Sequence, residues 1–271
     1  MQVTQVGKYS DQISSELSEI YYRRFTIIIP AYNEEKRIKP VLKDIVKFVS
    51  ENSLPWEVIV SIDGNDGTAD IVKTFSETYP FVSYTKSSGR GGKGSAIIRA
   101  SSFAKGDFVI LMDADNSMEF SEVVGRIPLI QDYVAVILSR YHDKGDIPLM
   151  RRFLSRGFNI LVRTFTGLEI GDTQSGYKIF RKGEFLSALG KVGATNTFYD
   201  ISLLYHIHSS GGQIMETKAH YTHDEGSKFH PLGEVIGQGI SLFAFAIRHS
   251  RFYHLVPSWM ISLYVRKFRW I

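Results

Sequence analysis

From Phe25 onward the chain alternates short apolar runs with longer stretches whose apolar positions recur every three or four residues. "FTIIIP" reads as a strand buried on both faces, and residues 34–50, with Ile38, Val41, Leu42, Ile45, Val46 and Val49 on one side, read as the helix after it. "WEVIVSID" repeats the strand pattern. A helix over 68–78, a short strand "FVSYT", a helix over 93–104 and the strand "DFVILMD" follow. Strand and helix in repeated succession predict an α/β fold, a largely parallel sheet with helices on both faces. Such sheets bind ligands at the carboxyl ends of their strands, and the polar motifs fall there: "AYNEE", "DGNDGT", "SSGRGGKG" and "DADNS".

The second half is less regular. "VAVILSR" reads as a strand, and residues 148–167 as a helix whose apolar side leaves Arg151, Arg152, Arg156 and Arg163 to other faces. "GDTQSGYKIFR" is a loop entering a strand, 197–211 a helix closed by glycine, and 213–228 a strand plus loop. Three segments result: an N-terminal amphipathic helix within 1–23 (Ile13, Leu17, Ile20, Tyr21), a main domain over 24–230, and a helical, basic and aromatic tail over 231–271.

That tail changes the picture of charge. The net charge is only +4, but no acid follows Glu234, while Arg248, Arg251, Arg266, Lys267 and Arg269 alternate with Phe252, Tyr253, Trp259, Tyr264, Phe268 and Trp270. Its uncharged runs, 235–247 and 252–265, fall short of the ~20 apolar residues of a membrane span, so contact with an anionic membrane surface is the expectation rather than crossing. The 271 residues, 44% hydrophobic, suit one large domain with appendages. The absence of cysteine excludes disulfides and thiolate zinc sites. No secretion signal is visible, which makes a cytoplasmic location the default. His206, His208, His220 and His223 lack a ligand pattern and read as structural, without zinc.

Asp113 and Asp115 end an apolar strand one residue apart. Both can face one hard cation, Mg²⁺ or Mn²⁺, that also takes phosphate oxygens; the alternative is a helix cap at Asp115 beside a solvated Asp113. The glycines of "SSGRGGKG", with Arg90 and Lys93, make either a phosphate-binding turn or a surface loop. It lacks the pattern of a Walker A loop. Asp63, followed by Gly64 and Gly67, is either an acceptor for a base or ribose group or a turn residue, and Asn33 and Glu34 also fit a helix start.

"TIIIPAYNEE", "EVIVSIDGNDGT", "GRGGKGSAI", "FVILMDADNS", "LSRY", "DTQSGYKIF" and "DEGSK" stand in the order found in family 2 inverting glycosyltransferases of GT-A fold, which the chain resembles over residues 24–230. More narrowly it is similar to their polyprenyl-phosphate (dolichyl-phosphate) hexosyltransferases, whose glucosyl branch "DTQSGYKIF" and "EGSK" favour. The resemblance implies that Pro30, Tyr32, Glu34 and Asp63 hold the nucleoside and that Asp113 and Asp115 hold metal and diphosphate. It gives Arg140 and Lys228 to phosphates, and Arg152 and Ser155 to the acceptor phosphate. Lys93, Ala114 and Gln174 complete the substrate-binding set. Asp172 aligns with a proposed family base; since a phosphate monoester is mostly dianionic near neutrality, orienting the acceptor or capping a turn are equal readings. Two positions depart from the pattern. Ile62-Asp63 replaces a pair of aspartates in a loop one residue shorter, and Thr222 stands where the mannosyl branch carries a donor-binding arginine.

The expected activity is metal-dependent transfer of a hexose, glucose favoured, from a nucleotide sugar such as UDP-glucose to polyprenyl phosphate at the cytoplasmic face of a membrane, with no role for nucleic acid. GDP-mannose-dependent transfer, transfer to a soluble glycan and a non-catalytic nucleotide-sugar-binding protein are the alternatives.

Overall fold

A computed structural model describes residues 18–87, 89, 91–141, 149–192, 198–222 and 231–249, the side chains of 18, 141, 149–156 and 231–238 excepted. Seven strands form one sheet in the order β3-β2-β1-β4-β6-β5-β7. They are β1 (Phe25–Tyr32), β2 (Glu57–Asp63), β3 (Val82–Lys86), β4 (Phe108–Leu111), β5 (Ala135–Tyr141), β6 (Lys178–Arg181) and β7 (Ile214–His220). The helices are α1 (Ser18–Tyr21), α2 (Ile38–Glu51), α3 (Thr68–Thr78), α4 (Lys93–Ser101), α5 (Phe120–Val124), α6 (Leu149–Thr166), α7 (Lys182–Leu189), α8 (Tyr199–Ser209) and α9 (Pro231–Arg248), with a 3₁₀ turn at Ile127–Gln131.

The apolar runs become central strands because both their faces are covered. Ile27 and Ile29 join one core with Ile38, Leu42 and Ile45 of α2, while Ile28 joins the other with Ile97 of α4, Val162 of α6 and Leu203 of α8. The side chains of a strand alternate in direction, so neighbours in "III" feed opposite layers. The α/β reading from the sequence is therefore the fold observed, with one directional feature added. β6 is antiparallel to both β4 and β5, whereas the other paired strands run parallel. The parallel strands leave the sheet at one edge; reversed, β6 enters there, so the turn before it arrives beside the ends of β4 and β5.

Some boundaries differ. α2 begins at Ile38 rather than at residue 34. The Glu34 N–H donates to Thr68 Oγ1 at 2.8 Å, and the Glu34 carbonyl accepts from Arg37 and Ile38, so residues 34–37 make a turn tied to the next loop instead of a first helical turn. α7 was not expected; its Phe185, Ala188 and Leu189 are buried. The expected N-terminal helix falls mostly outside the described residues; in the short α1, Ile20 and Tyr21 are buried, and the Trp56 indole donates to the Tyr21 carbonyl at 2.8 Å. The tail is helical over α9, where the Phe245 ring packs tilted against Phe198, centres 5.3 Å apart; residues 250–271, with most of the basic tail, lie outside the described residues. Among the described residues no helix is long and apolar enough to cross a membrane.

Candidate active site

The ends of β1 and β2 interlock. Asn33, in the left-handed region at φ 56°, turns its Oδ1 to accept the Asn65 N–H at 3.1 Å. Gly64, at φ 100°, sits against that same oxygen, where a Cβ would clash, so this turn requires glycine. Beside it, Glu34 pairs with Arg37 at 2.7 Å. Burial pushes the Glu34 carboxyl up, the Arg37 guanidinium opposes this, and repulsion from the Asp115 and Asp113 carboxylates adds to the rise. Glu34 is thus electrostatically part of the same site as the two aspartates. Pro30 is half-buried and Tyr32 is 44% exposed at the strand end.

Asp63 is buried, with Oδ1 2.7 Å from Arg99 Nη2 and Oδ2 accepting the Gly91 N–H at 2.9 Å. It therefore ties the glycine-rich loop to β2. Arg99, on α4, also reaches the Thr85 hydroxyl at 3.2 Å. From sequence it was simply one cation on a helix.

Lys93, the first residue of α4, lies 2.8 Å from Asp113 Oδ1. Burial lowers the Lys93 ammonium, but Asp113 and then Asp200 outweigh it and hold it above its ordinary value. For Asp113, burial raises the carboxyl and the cations Lys93, Lys178 and Arg140 more than offset this, leaving it below the carboxylate range. Ala114 is buried between the two acids, and Asp115 Oδ1 accepts the Ser117 N–H at 3.0 Å. Asp115 faces an open pocket of about 290 Å³ lined also by Lys36, Arg37, Pro40, Asn116, Ser117 and Thr222. Thr222 is held there by its N–H on the Ser117 carbonyl at 2.9 Å.

On the other side of Asp113, Arg140 forms a bidentate pair with Asp172: Nε to Oδ2 2.8 Å, Nη2 to Oδ1 2.7 Å, with the Arg140 backbone N–H on Oδ2 at 3.0 Å. Its guanidinium also lies 5.9 Å from the Tyr221 ring centre. Burial raises the Asp172 carboxyl, and Arg140 pulls it further down, below the ordinary range. Glu216 on β7 accepts the Gly171 and Asp172 N–H groups, each at 2.8 Å, which fixes the turn. Gln174 is half-buried in it. Gly176 lies against the Asp113 carboxylate so closely that a Cβ would occupy the same space. Beneath, Lys178 and Asp200 form a buried pair at 2.7 Å.

The structure thus brings together Lys93 with Asp113 and Arg140 with Asp172, while Glu34 pairs with Arg37. It pairs Asp63 with Arg99 instead of another expected site residue. Arg152 and Ser155 are on α6, but their side chains, like all of Lys228, lie outside the described residues. Sequence reasoning passed over Arg99, Gly176, Lys178, Asp200 and Glu216. Two carried a visible signal: Lys178 interrupts a buried strand, "YKIF", and Asp200 an apolar helix, "FYDISLLY".

Two carboxylates with hard oxygens, partly exposed at one strand end, fit a Mg²⁺- or Mn²⁺-type ion that takes its other ligands from phosphate and water. No group of three or more His, Cys, Asp or Glu able to hold a metal occurs among the described residues, so such an ion would depend on its substrate for the remaining oxygens.

The family model described as Glycosyl transferase family 2 matches residues 26–185, a span from β1 into α7 that holds both strand-end aspartates, Lys93, Arg140 and Asp172. The chain belongs to that family. It is a glycosyltransferase, and the expected GT-A fold is the one observed. The chain is 30% identical over 256 residues to the dolichyl-phosphate beta-glucosyltransferase of Dictyostelium discoideum, covering 88% of this chain and 76% of that one. With the protein of the same name from Drosophila melanogaster it shares 28% identity over 261 residues, 89% of this chain and 78% of the other. The glucosyl-3-phosphoglycerate synthase of Mycobacterium tuberculosis, solved with Mn²⁺, UDP-glucose and phosphoglyceric acid, is a structural neighbour at TM-score 0.64 and 18% identity, covering 85% and 82% of the two chains. That likeness carries the fold.

Proposed function

We propose that this family 2 glycosyltransferase moves glucose from UDP-glucose to dolichyl or another polyprenyl phosphate, inverting the anomeric centre. The observation that carries this reading is the 30% identity to a dolichyl-phosphate beta-glucosyltransferase over 88% of the chain. Thr222 beside Asp115 supports glucose over mannose, since the mannosyl branch resembled above has arginine there.

Loss of the nucleoside diphosphate from the sugar builds negative charge on the leaving group. A divalent ion held by Asp115 and Asp113 would supply Lewis-acid stabilisation of that charge when bound. The chain adds fixed cations: Lys93 is held by Asp113, and Arg140 by Asp172 and Tyr221. The acceptor phosphate, with a second pKa of about 6, is mostly dianionic near neutrality and needs no base. Asp172 spends both oxygens on Arg140, so its role is to aim that guanidinium rather than to take a proton. Glu34 and the loop tied down by Asp63 serve the nucleoside side.

The acceptor lipid stays in its bilayer, so the site works at the membrane, at the cytoplasmic face in this reading. α6 supports contact there: Ile160, Leu161 and Phe165 are exposed beside Arg163, and Asn159 on the same helix donates to the Gly171 carbonyl at 2.7 Å, next to Asp172. The cations and aromatics of 248–271 add an interfacial attraction of ~1 kcal/mol per cation near anionic lipid. Co-sedimentation should need anionic liposomes and weaken with salt, and removal of 248–271 should reduce it; equal binding by truncated and full-length chains assigns the tail to packing. For the reaction itself, labelled UDP-glucose, GDP-mannose and UDP-N-acetylglucosamine are each incubated with polyprenyl phosphate and extracted into organic solvent. Lipid-soluble label from UDP-glucose above the others is expected. No extractable label from any donor refutes the proposal.

A further inference from the structure

The Lys178–Asp200 pair has no place in the reaction as described. Lys178 is fully buried in β6, its ammonium donating to Asp200 Oδ1 at 2.7 Å and to the Ser175 carbonyl. Asp200 lies in the first turn of α8 and is itself buried. Two charges taken out of water and paired gain little or nothing in stability over apolar residues of similar volume, so packing alone does not account for them. Their connections lead to the site. Ser175 donates its hydroxyl to Leu138 O at 2.5 Å, next to Arg140's end of β5, and its N–H to Asp172 O at 3.3 Å. One residue later Gly176 forms the seat of the Asp113 carboxylate. The charge of Lys178 also acts on Asp113 and Asp172, and that of Asp200 on Lys93.

We infer that Lys178 and Asp200 are positioning residues for transfer: the ammonium, held by Asp200 from below, clamps the Ser175 carbonyl and so fixes the 172–176 turn that carries Asp172 and seats Asp113. The pair touches no substrate; it acts through the turn. This inference rests on the proposed glucosyl transfer only for its kinetic readout.

The test is the double variant Lys178→Met with Asp200→Leu, which removes both charges together and leaves neither stranded, alongside Asp200→Asn, which keeps a hydrogen-bond acceptor without the counter-charge. Three quantities are measured: UDP affinity with Mn²⁺ by calorimetry, amide exchange in peptides spanning 171–177, and kcat and KM for transfer. The folded double variant should bind UDP within about threefold of wild type, exchange its 171–177 amides about tenfold faster, and lose about tenfold or more in kcat. Asp200→Asn, which leaves the buried Lys178 ammonium without its counter-charge, should speed exchange and lower kcat at least as much. Native exchange and unchanged kcat in the folded double variant overturn the inference, as does a failure of both variants to fold, which makes the pair a stability element. If the wild type transfers no sugar, the proposed function fails while the exchange measurement still decides whether the pair holds the turn.

Discussion

At the ends of β1 and β2, exposed side-chain oxygens on backbone amides hold the turns, alongside the buried Asp63–Arg99 pair; at the ends of β5 and β6, two ion pairs join the Glu216 contacts that hold the turn. In the first region Asn33 takes the Asn65 N–H at 3.1 Å, Glu35 the Gly67 N–H at 2.9 Å and Asp66 the Glu35 N–H at 3.1 Å, all exposed. In the second, Arg140 grips Asp172 and Lys178 grips Asp200, with side-chain exposures of 35%, 16%, 0% and 5%. Exposed contacts of the first kind are individually cheap to lose, because water replaces them. Buried charge pairs are costly to break from one side, because the survivor is left uncompensated. The difference suits the proposed reading, in which the first region serves the nucleoside and the second supplies fixed charges for phosphate. Asp113 stands on the seam, gripped by Lys93 and seated on Gly176.

The largest effect is expected beside the seam, at the acid that faces the open pocket. Asp115→Asn should reduce kcat by about 10²- to 10³-fold, while thermal stability changes by less than about 0.5 kcal/mol, since a strand-end carboxylate contributes no core packing. Excess EDTA should mimic it and Mn²⁺ reverse the EDTA effect. Full activity in EDTA would remove the metal from the reading.

Gly176→Ala comes next. The added methyl meets the Asp113 carboxylate, so the variant should lose about 2–3 kcal/mol in denaturant unfolding together with most of its transfer activity. Wild-type stability would mean that Asp113 is not seated there.

Arg140→Met tests the cation-held side directly. Arg140 keeps the Asp172 carboxyl below the usual range, and a carboxyl so depressed contributes stability above its unfolded pKa of about 3.9 that is lost as pH falls through the lower folded value. The variant should therefore be less stable by about 1–2 kcal/mol above about pH 4, and the gap in melting temperature should close in stronger acid. A gap independent of pH contradicts the pairing.

Glu35→Ala tests the amide-held side and should be the mildest: about 0.5–1 kcal/mol from the lost Gly67 contact, with donor KM unchanged. A loss as large as that of Arg140→Met would erase the contrast between the two regions.

How much of this was legible in the chain depended on distance along it. The strand runs, the α2 face and the motifs at strand ends could be read because each is a pattern over adjacent residues. The start of α2 could not, since it is set by Thr68, a residue from the next loop. Asp63 showed its place but not its partner: Arg99 looked like any helix cation until the fold set it at 2.7 Å. The direction of β6 was hidden as well, because a two-residue alternation reads the same forward and backward.

The sequence by itself determined that this is an α/β chain whose acids and glycines gather where parallel strands end, because hydrophobic periodicity and turn chemistry are local properties that burial then enforces. Only the tertiary structure decided which charges neutralise which. By reversing β6 it carried the 172–176 turn to the edge where β4 and β5 finish, set Gly176 beneath Asp113, and enclosed Lys178 with Asp200 behind them. Charge pairing depends on separation in space and on exclusion of water, and neither quantity exists until the layers have packed.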